Sequence, residues 1–297
     1  MKEFGKLIVI VLVLFLLSYL ISWLLPYNGI ISGNVAKIYV DGTIITQESD
    51  SLFSAETVSS TEIIKQIDDA NTNPSIKAII FEINSGGGSA VASYEIAKAI
   101  KKVNKTSVAV IREMGTSGAY WAASATDYVI ANEFSVTGSI GVLSSYLEFS
   151  KLFNKYGVTY QRLVSGEYKD MGSPFKPMTD KEKAIMQKKI DDIHDVFISK
   201  IAENRNMSVD DVNKLATGEF YLGNEAIGLG LIDAIGDEET AKEYIMKKLN
   251  ITTIEIAEYK KKPSFLDMFG KILNENFYFM GKGQTSFINT EEKGIQT

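Results

Sequence analysis

Hydrophobic and polar positions fall along this chain in three regimes. Residues 7–25 form an uncharged apolar run, rich in leucine, isoleucine and valine and closed by Pro26. As a helix these positions reach about 28 Å, close to the ~30 Å hydrocarbon core of a bilayer. Lys2 and Lys6 precede the run, while Tyr19, Trp23 and Tyr27 gather toward its far end, where an aromatic belt would lie. A cleaved signal peptide or a buried core helix would be the alternatives. A signal peptide, however, has a shorter apolar region and a small-x-small site, and no Ala-x-Ala follows here. The pattern therefore predicts a membrane anchor over 1–27. Its N-terminus is expected in the cytoplasm and the remaining chain outside, as a single-pass protein of the cell membrane.

After a polar linker over 28–35 the pattern becomes that of an α/β domain, expected over 36–276. Short apolar runs at 38–40, 77–83, 107–111 and 128–131 read as strands. Helical patterns stand between them at 60–69, 90–103 and 117–125, the first opened by a Ser59-Ser60-Thr61-Glu62 capping box. Strands alternating with helices at this spacing argue for βαβ units and a largely parallel sheet. The third regime is a helical stripe over 179–206, with Ile185, Met186, Ile190, Ile193, Phe197 and Ile201 on one side and a Thr179–Glu182 capping box at its start. Shorter helices are expected from Ser208 and over 238–248. The polar residues 277–297 read as a flexible tail.

Charge and composition narrow the chemistry. A net charge of −6 over 297 residues gives no electrostatic case for nucleic-acid binding. The chain has no cysteine and one histidine, His194, which the pattern places on the long helix, away from any glycine loop. A thiol mechanism is thus absent, and a Ser-His-Asp triad would depend on that single imidazole. The acidic pairs Asp68-Asp69 and Asp210-Asp211 lack accompanying ligands and read as solvated helix faces. The Gly86-Gly87-Gly88 run has neither the lysine of a phosphate loop nor dinucleotide spacing. No cofactor and no metal is expected.

Three features remain. Ser117, between Gly115 and Gly118, sits at a loop-to-helix junction, where helix-start amides are unpaired. Such a serine is either a nucleophile or, more commonly, an N-cap. The glycine run ends a strand and feeds a helix, so its amides can face a cleft, or it can simply permit close helix packing. Lys169, in Tyr168-Lys169-Asp170-Met171, could serve as a base only if neutral near pH 7, against an ordinary lysine value of ~10.4. Burial or cationic neighbours would be needed.

Taken together these segments resemble the signal peptide peptidase A family, membrane-anchored serine proteases related to the Clp protease proteolytic subunit and to crotonases. The likeness runs from about 36 to 248. It rests on Asn84-Ser85-Gly86-Gly87-Gly88, Thr116-Ser117-Gly118-Ala119-Tyr120 and Thr137-Gly138-Ser139-Ile140-Gly141. Tyr168-Lys169-Asp170-Met171 with Ser173-Pro174, and Thr217-Gly218-Glu219-Phe220-Tyr221, complete the set in the family's order. One departure is Gly86, where the family usually has proline, which would leave that strand less pre-set.

The resemblance implies a Clp-protease/crotonase-like fold of repeated ββα units forming a superhelix. It implies Ser117 as nucleophile, Lys169 as general base, Ser139 as the residue positioning the lysine, and the Gly88 and Gly118 amides as the oxyanion hole. It further implies apolar peptide substrates such as remnant signal peptides, and a homo-oligomer. Whether serine and lysine pair within or between subunits stays open. The competing readings are a related protease that cuts intact membrane-protein segments, and a catalytically silent scaffold that binds apolar peptides.

Overall fold

The computed structural model describes residues 6, 13–15, 17–18, 32–47 and 57–259. Apart from six positions, the expected anchor lies outside the described residues, as does the tail over 277–297. Among the described residues no helix is long and apolar enough to cross a membrane.

A mixed α/β fold surrounds a central sheet. Its main path is β10 (Ile256–Tyr259), β1 (Val35–Asp41), β4 (Ala78–Ser85), β5 (Thr106–Thr116), β6 (Tyr128–Ala131) and β9 (Ala234–Ile235). Every pairing on this path is parallel, as the strand–helix alternation predicts. β7 (Val136–Gly138) continues the sheet beyond β6 by pairing with the end of β5, and β8 (Phe220–Leu222) runs antiparallel to it. β2 (Thr43–Ile45) and β3 (Thr57–Ser59) form a separate parallel pair.

The two-residue period of the strands divides the core. Ile79, Phe81 and Ile83 of β4 join Ile38 and Val40 of β1 on one face. That face is covered by α1 (Ser60–Thr72), α2 (Ala90–Ile100), α3 (Gly118–Ser124) and the end of the long helix α5 (Asp180–Arg205). Ala78, Ile80, Val108 and Val110 point the other way, onto Ala241 and Ile245 of α8 (Glu238–Leu249). With both faces covered, β4 needs apolar residues at consecutive positions, which is why it reads as an unbroken run. The remaining helices are short: α4 (Ser150–Lys155), α6 (Val209–Leu215) and α7 (Gly223–Ala226).

The Thr179–Glu182 capping box forms as expected, and Ser208 caps α6. The Ser59 box does not form. The Ser59 hydroxyl donates instead to the Thr46 carbonyl, 3.0 Å away, tying α1 to the end of β2. β5 is also longer than expected. Residues 112–116, read as a loop, remain in the sheet because Met114, Gly115 and Thr116 pair with β7.

One polar cluster lies on the sheet. Lys37 is 8 % exposed, and its ammonium sits 2.6 Å from both Glu82 and Glu238. Burial disfavours the ammonium, but hydrogen bonds to the two carboxylates outweigh it and hold Lys37 above the ordinary lysine value. Burial pushes Glu238 up, yet its bonds to Lys37 and Lys242 hold it below the usual carboxylate range. Stability from Glu238 is therefore present above its ordinary pKa and lost as pH falls through the depressed one. Stability from Lys37 is present below the ordinary lysine value and lost only in stronger alkali. Lys37→Ala, which strands two carboxylates, is expected to cost about 3 kcal/mol in urea unfolding at pH 7. The deficit should shrink when the same titration is run near pH 4.

Candidate active site

Ser117 occupies the single position between β5 and α3, with φ 53° and ψ −124°. A non-glycine residue held there costs of order 1–3 kcal/mol, and the surrounding structure must impose it. Two backbone hydrogen bonds do so. The Ser117 N–H donates to the Gly138 carbonyl (2.8 Å), and the Ser117 carbonyl accepts from the Trp121 N–H (3.0 Å). Ser117 stands at the N-cap of α3, but its side chain makes no capping bond. The N-cap alternative therefore fails, and the hydroxyl is left for other use.

The glycine run lies directly against this turn. A Cβ on Gly87, which has φ 89°, would come 2.7 Å from the Gly118 nitrogen and 3.0 Å from the Ser117 Cβ. A Cβ on Gly118 would come 3.5 Å from the Gly88 nitrogen. Two amides, of Gly88 and Gly118, thus stand side by side next to Ser117, and neither donates to any described residue. Gly118 opens α3, where no intrahelical acceptor is available. This pair of adjacent unpaired donors beside a serine is what an acyl-transfer site requires.

The glycine loop is braced where proline is missing. The Ile44 N–H donates to the Gly87 carbonyl (2.9 Å), and the Ser89 N–H to the Ile44 carbonyl (2.8 Å). The Ser85 hydroxyl donates to the Gly42 carbonyl (2.5 Å) and accepts from the Gly87 N–H (3.1 Å). Ile44 and Ser85 are the site residues that sequence reasoning missed. Ile44 acts through its backbone, which leaves no mark on residue type. Ser85 stood within the glycine motif itself.

Ser139 lies beside Ser117. The register pairs Thr116 with Gly138, so the two serines follow on neighbouring strands, and both have positive φ (53° and 48°). The Ser139 N–H donates to the Glu219 carbonyl (2.8 Å), and its hydroxyl to the Gly218 carbonyl (3.2 Å). The Thr217-Gly218-Glu219 motif is therefore the backbone that holds Ser139.

Lys169 is the residue that the chain does not bring in. It is exposed, in a turn where its N–H donates to the Gly166 carbonyl (3.2 Å). Among the described residues no hydrogen bond or ion pair joins its ammonium to Ser117 or Ser139. The arm that carries it, residues 142–178, is fixed at its base. Arg162 grips Asp170 through two hydrogen bonds (2.7 and 2.9 Å), and Lys176 joins Asp170 to Glu182 (3.5 and 2.6 Å). The Arg162 guanidinium holds the Asp170 carboxyl down at about 2. His194 lies on α5, where its Nε2 is buried without a partner among the described residues. A cavity of about 790 Å³ lies along β8, lined by Glu219, Tyr221 and Glu225, on the side of β7 away from β5.

A strained serine on a strand-to-helix turn, with two free amides beside it, defines a serine hydrolase of the acyl-transfer type. The sequence profile of Peptidase family S49 matches residues 99–265. Among similar proteins, one of Methanocaldococcus jannaschii named as a protease is 33% identical over 229 residues, 76% of this chain and 74% of that one. One of Enterococcus faecium named as signal peptide peptidase SppA is 33% identical over 236 residues, 78% of this chain and 69% of its own length. Protease 4 of Haemophilus influenzae is 35% identical over 213 residues, 71% of this chain but 34% of that longer protein. The chain belongs to peptidase family S49 and is a serine peptidase.

Proposed function

We propose that this peptidase uses a Ser117/Lys169 dyad to cleave apolar peptides, remnant signal peptides among them, outside the cell membrane. The observation that carries the reading is the pair of free amides, Gly88 and Gly118, beside the strained Ser117. In this mechanism the neutral Lys169 amine accepts the Ser117 proton while Oγ attacks the peptide carbonyl carbon. The Gly88 and Gly118 amides hold the tetrahedral oxyanion. Collapse breaks the C–N bond, the lysine returns its proton to the leaving amine, and water then hydrolyses the acyl-enzyme. Ser139 positions the lysine.

The exposed lysine fits an assembled enzyme. The arm over 142–178 presents Leu143, Leu147 and Leu163 at 84%, 72% and 97% exposure, with Tyr156 at 71%. An apolar surface of this kind asks for a partner. A second copy laid on the arm would cover it and bring one copy's Lys169 to the other's Ser117. In this assembly the fold would be a Clp-protease/crotonase-like superhelix of ββα units, with residues 7–25 as its transmembrane anchor.

The test is a panel of fluorogenic peptides with the full chain in lipid vesicles. Leucine- and valine-rich peptides should be cut at least ten times faster than acidic peptides of equal length. Equal rates would overturn the substrate class.

The oxyanion loop gives a second check. A Cβ on Gly88 would come 2.1 Å from the Ile44 carbonyl oxygen, so the loop must shift. A Cβ on Gly86 would meet only side chains, Met114 Sδ at 3.3 Å and Thr116 Oγ1 at 4.0 Å. Gly88→Ala should lower kcat/KM about 100-fold or more, as loss of a donor does, whereas Gly86→Ala should stay within a few-fold.

A further inference from the structure

Among α2, α3 and α5 lies a second cavity, of about 280 Å³, whose chemistry the peptidase reaction does not use. Its apolar wall is Trp121, stacked on Phe197 at 4.7 Å and met edge-on by Tyr94 at 5.6 Å. Its rim is cationic. Lys98, Lys101 and Lys102 come from the end of α2 and Lys200 from α5. Among the described residues Glu203 is the single acid lining it, and Lys200 already engages that carboxylate at 2.7 Å. Lys98, Lys101 and Lys102 make no ion pair with any described residue. Lysines at a helix C-terminus ordinarily answer the helix dipole. Three within five positions, facing a fourth across an aromatic-walled cavity, exceed that need in a chain whose net charge is −6.

The topology says where this cleft faces. α2 starts beside the glycine loop and returns to the start of β5, and Thr106 there is in register with Ala78 and, through it, with Val35. The lysines therefore sit at the edge where the parallel strands begin, β1 among them at Val35, a short way along the sequence from the apolar run over 7–25. β1 and β5 are two strands apart, about 10 Å. The catalytic serine lies at the opposite ends of the same strands.

We propose that this cleft binds the headgroup of an acidic phospholipid, its phosphate on Lys98, Lys101 and Lys102 and its glycerol portion against Tyr94 and Trp121. Anionic lipid attracts each lysine near a membrane surface, and the exposed Tyr94 suits the interfacial depth, with the buried Trp121 as the floor of the cleft. The site would hold the strand-start edge against the bilayer and aim Ser117 away from it. The proposal rests on the reading of 7–25 as an anchor for its orientation, and the test separates the two.

Full-length protein in neutral detergent, with Trp23→Phe so that Trp121 reports, is titrated with short-chain dihexanoyl phosphatidylglycerol while tryptophan fluorescence is followed. Saturable binding is expected, at least ten-fold tighter than for dihexanoyl phosphatidylcholine. Lys98→Ala/Lys101→Ala/Lys102→Ala should weaken it at least ten-fold with peptide hydrolysis unchanged, and the corresponding triple arginine variant should retain it. Equal binding of the two lipids, or no effect of the triple alanine variant, would overturn the proposal. Glycerol 3-phosphate binding as tightly as the lipid would assign the cleft to a soluble phosphate, and a peptide carboxylate doing so would assign it to peptides. Either result also overturns it. The lipid is soluble, so this titration reads the cleft whether or not 7–25 spans a bilayer. Carbonate extraction of the full chain from membranes tests the anchor on its own.

Discussion

Ser117→Ala is expected to abolish peptide hydrolysis, lowering kcat by about 10³-fold or more while leaving the fold intact. Alanine removes the only atom that the proposed reaction joins to the substrate, so the acyl-enzyme route closes. Activity left over would come from the Gly88 and Gly118 amides acting on a bound peptide attacked by water. The backbone strain at Ser117 is imposed by Gly138 and Trp121 through main-chain bonds, and an alanine meets the same constraint. The Ser117 side chain caps no helix, so its loss costs no N-cap energy. Thermal unfolding should therefore shift little. Initial rates and a melting curve on the same preparation check both halves.

Lys169→Ala should be nearly as damaging to rate, and Lys169→Arg no better. Arginine preserves charge and reach but cannot give up its proton, so it restores a structural cation and not a base. A lysine that served only to bind substrate would tolerate arginine, and this contrast separates the roles. Mixing the two inactive proteins adds a stronger test. If serine and lysine pair across a subunit boundary, hetero-oligomers of Ser117→Ala and Lys169→Ala chains contain intact sites and should regain up to about a quarter of the wild-type rate, from random pairing. The exposure of Lys169 within one chain, on an apolar arm, is the reason to expect recovery.

How far the chain could be read from residue pattern alone depended on where the forces act. β4 and β6 were legible because burial on both faces demands continuous apolar residues. α5 was legible because its capping box and stripe are local. The end of β5 was not: Arg112, Glu113 and Met114 are exposed, and the strand persists there only through pairing with β7, itself three residues long. The Ser59 capping box misled because the hydroxyl had a competing carbonyl at Thr46, thirteen positions earlier. At the site, Ser117, Ser139 and the glycine loop could be named from motifs. The grip of Ile44 on that loop is purely backbone and no residue type announces it. Lys169 could be named only through the family motif around it, since a lone lysine exposed on a turn otherwise looks like any solvated lysine.

The most direct test of the dyad is to map covalent labelling by a fluorophosphonate on the assembled full-length protein. Peptide mass spectrometry should place one adduct per chain on Ser117, forming at least 100-fold more slowly in Lys169→Ala and in Lys169→Arg. An adduct on another residue, or Ser117 labelling at an undiminished rate without Lys169, would contradict the account.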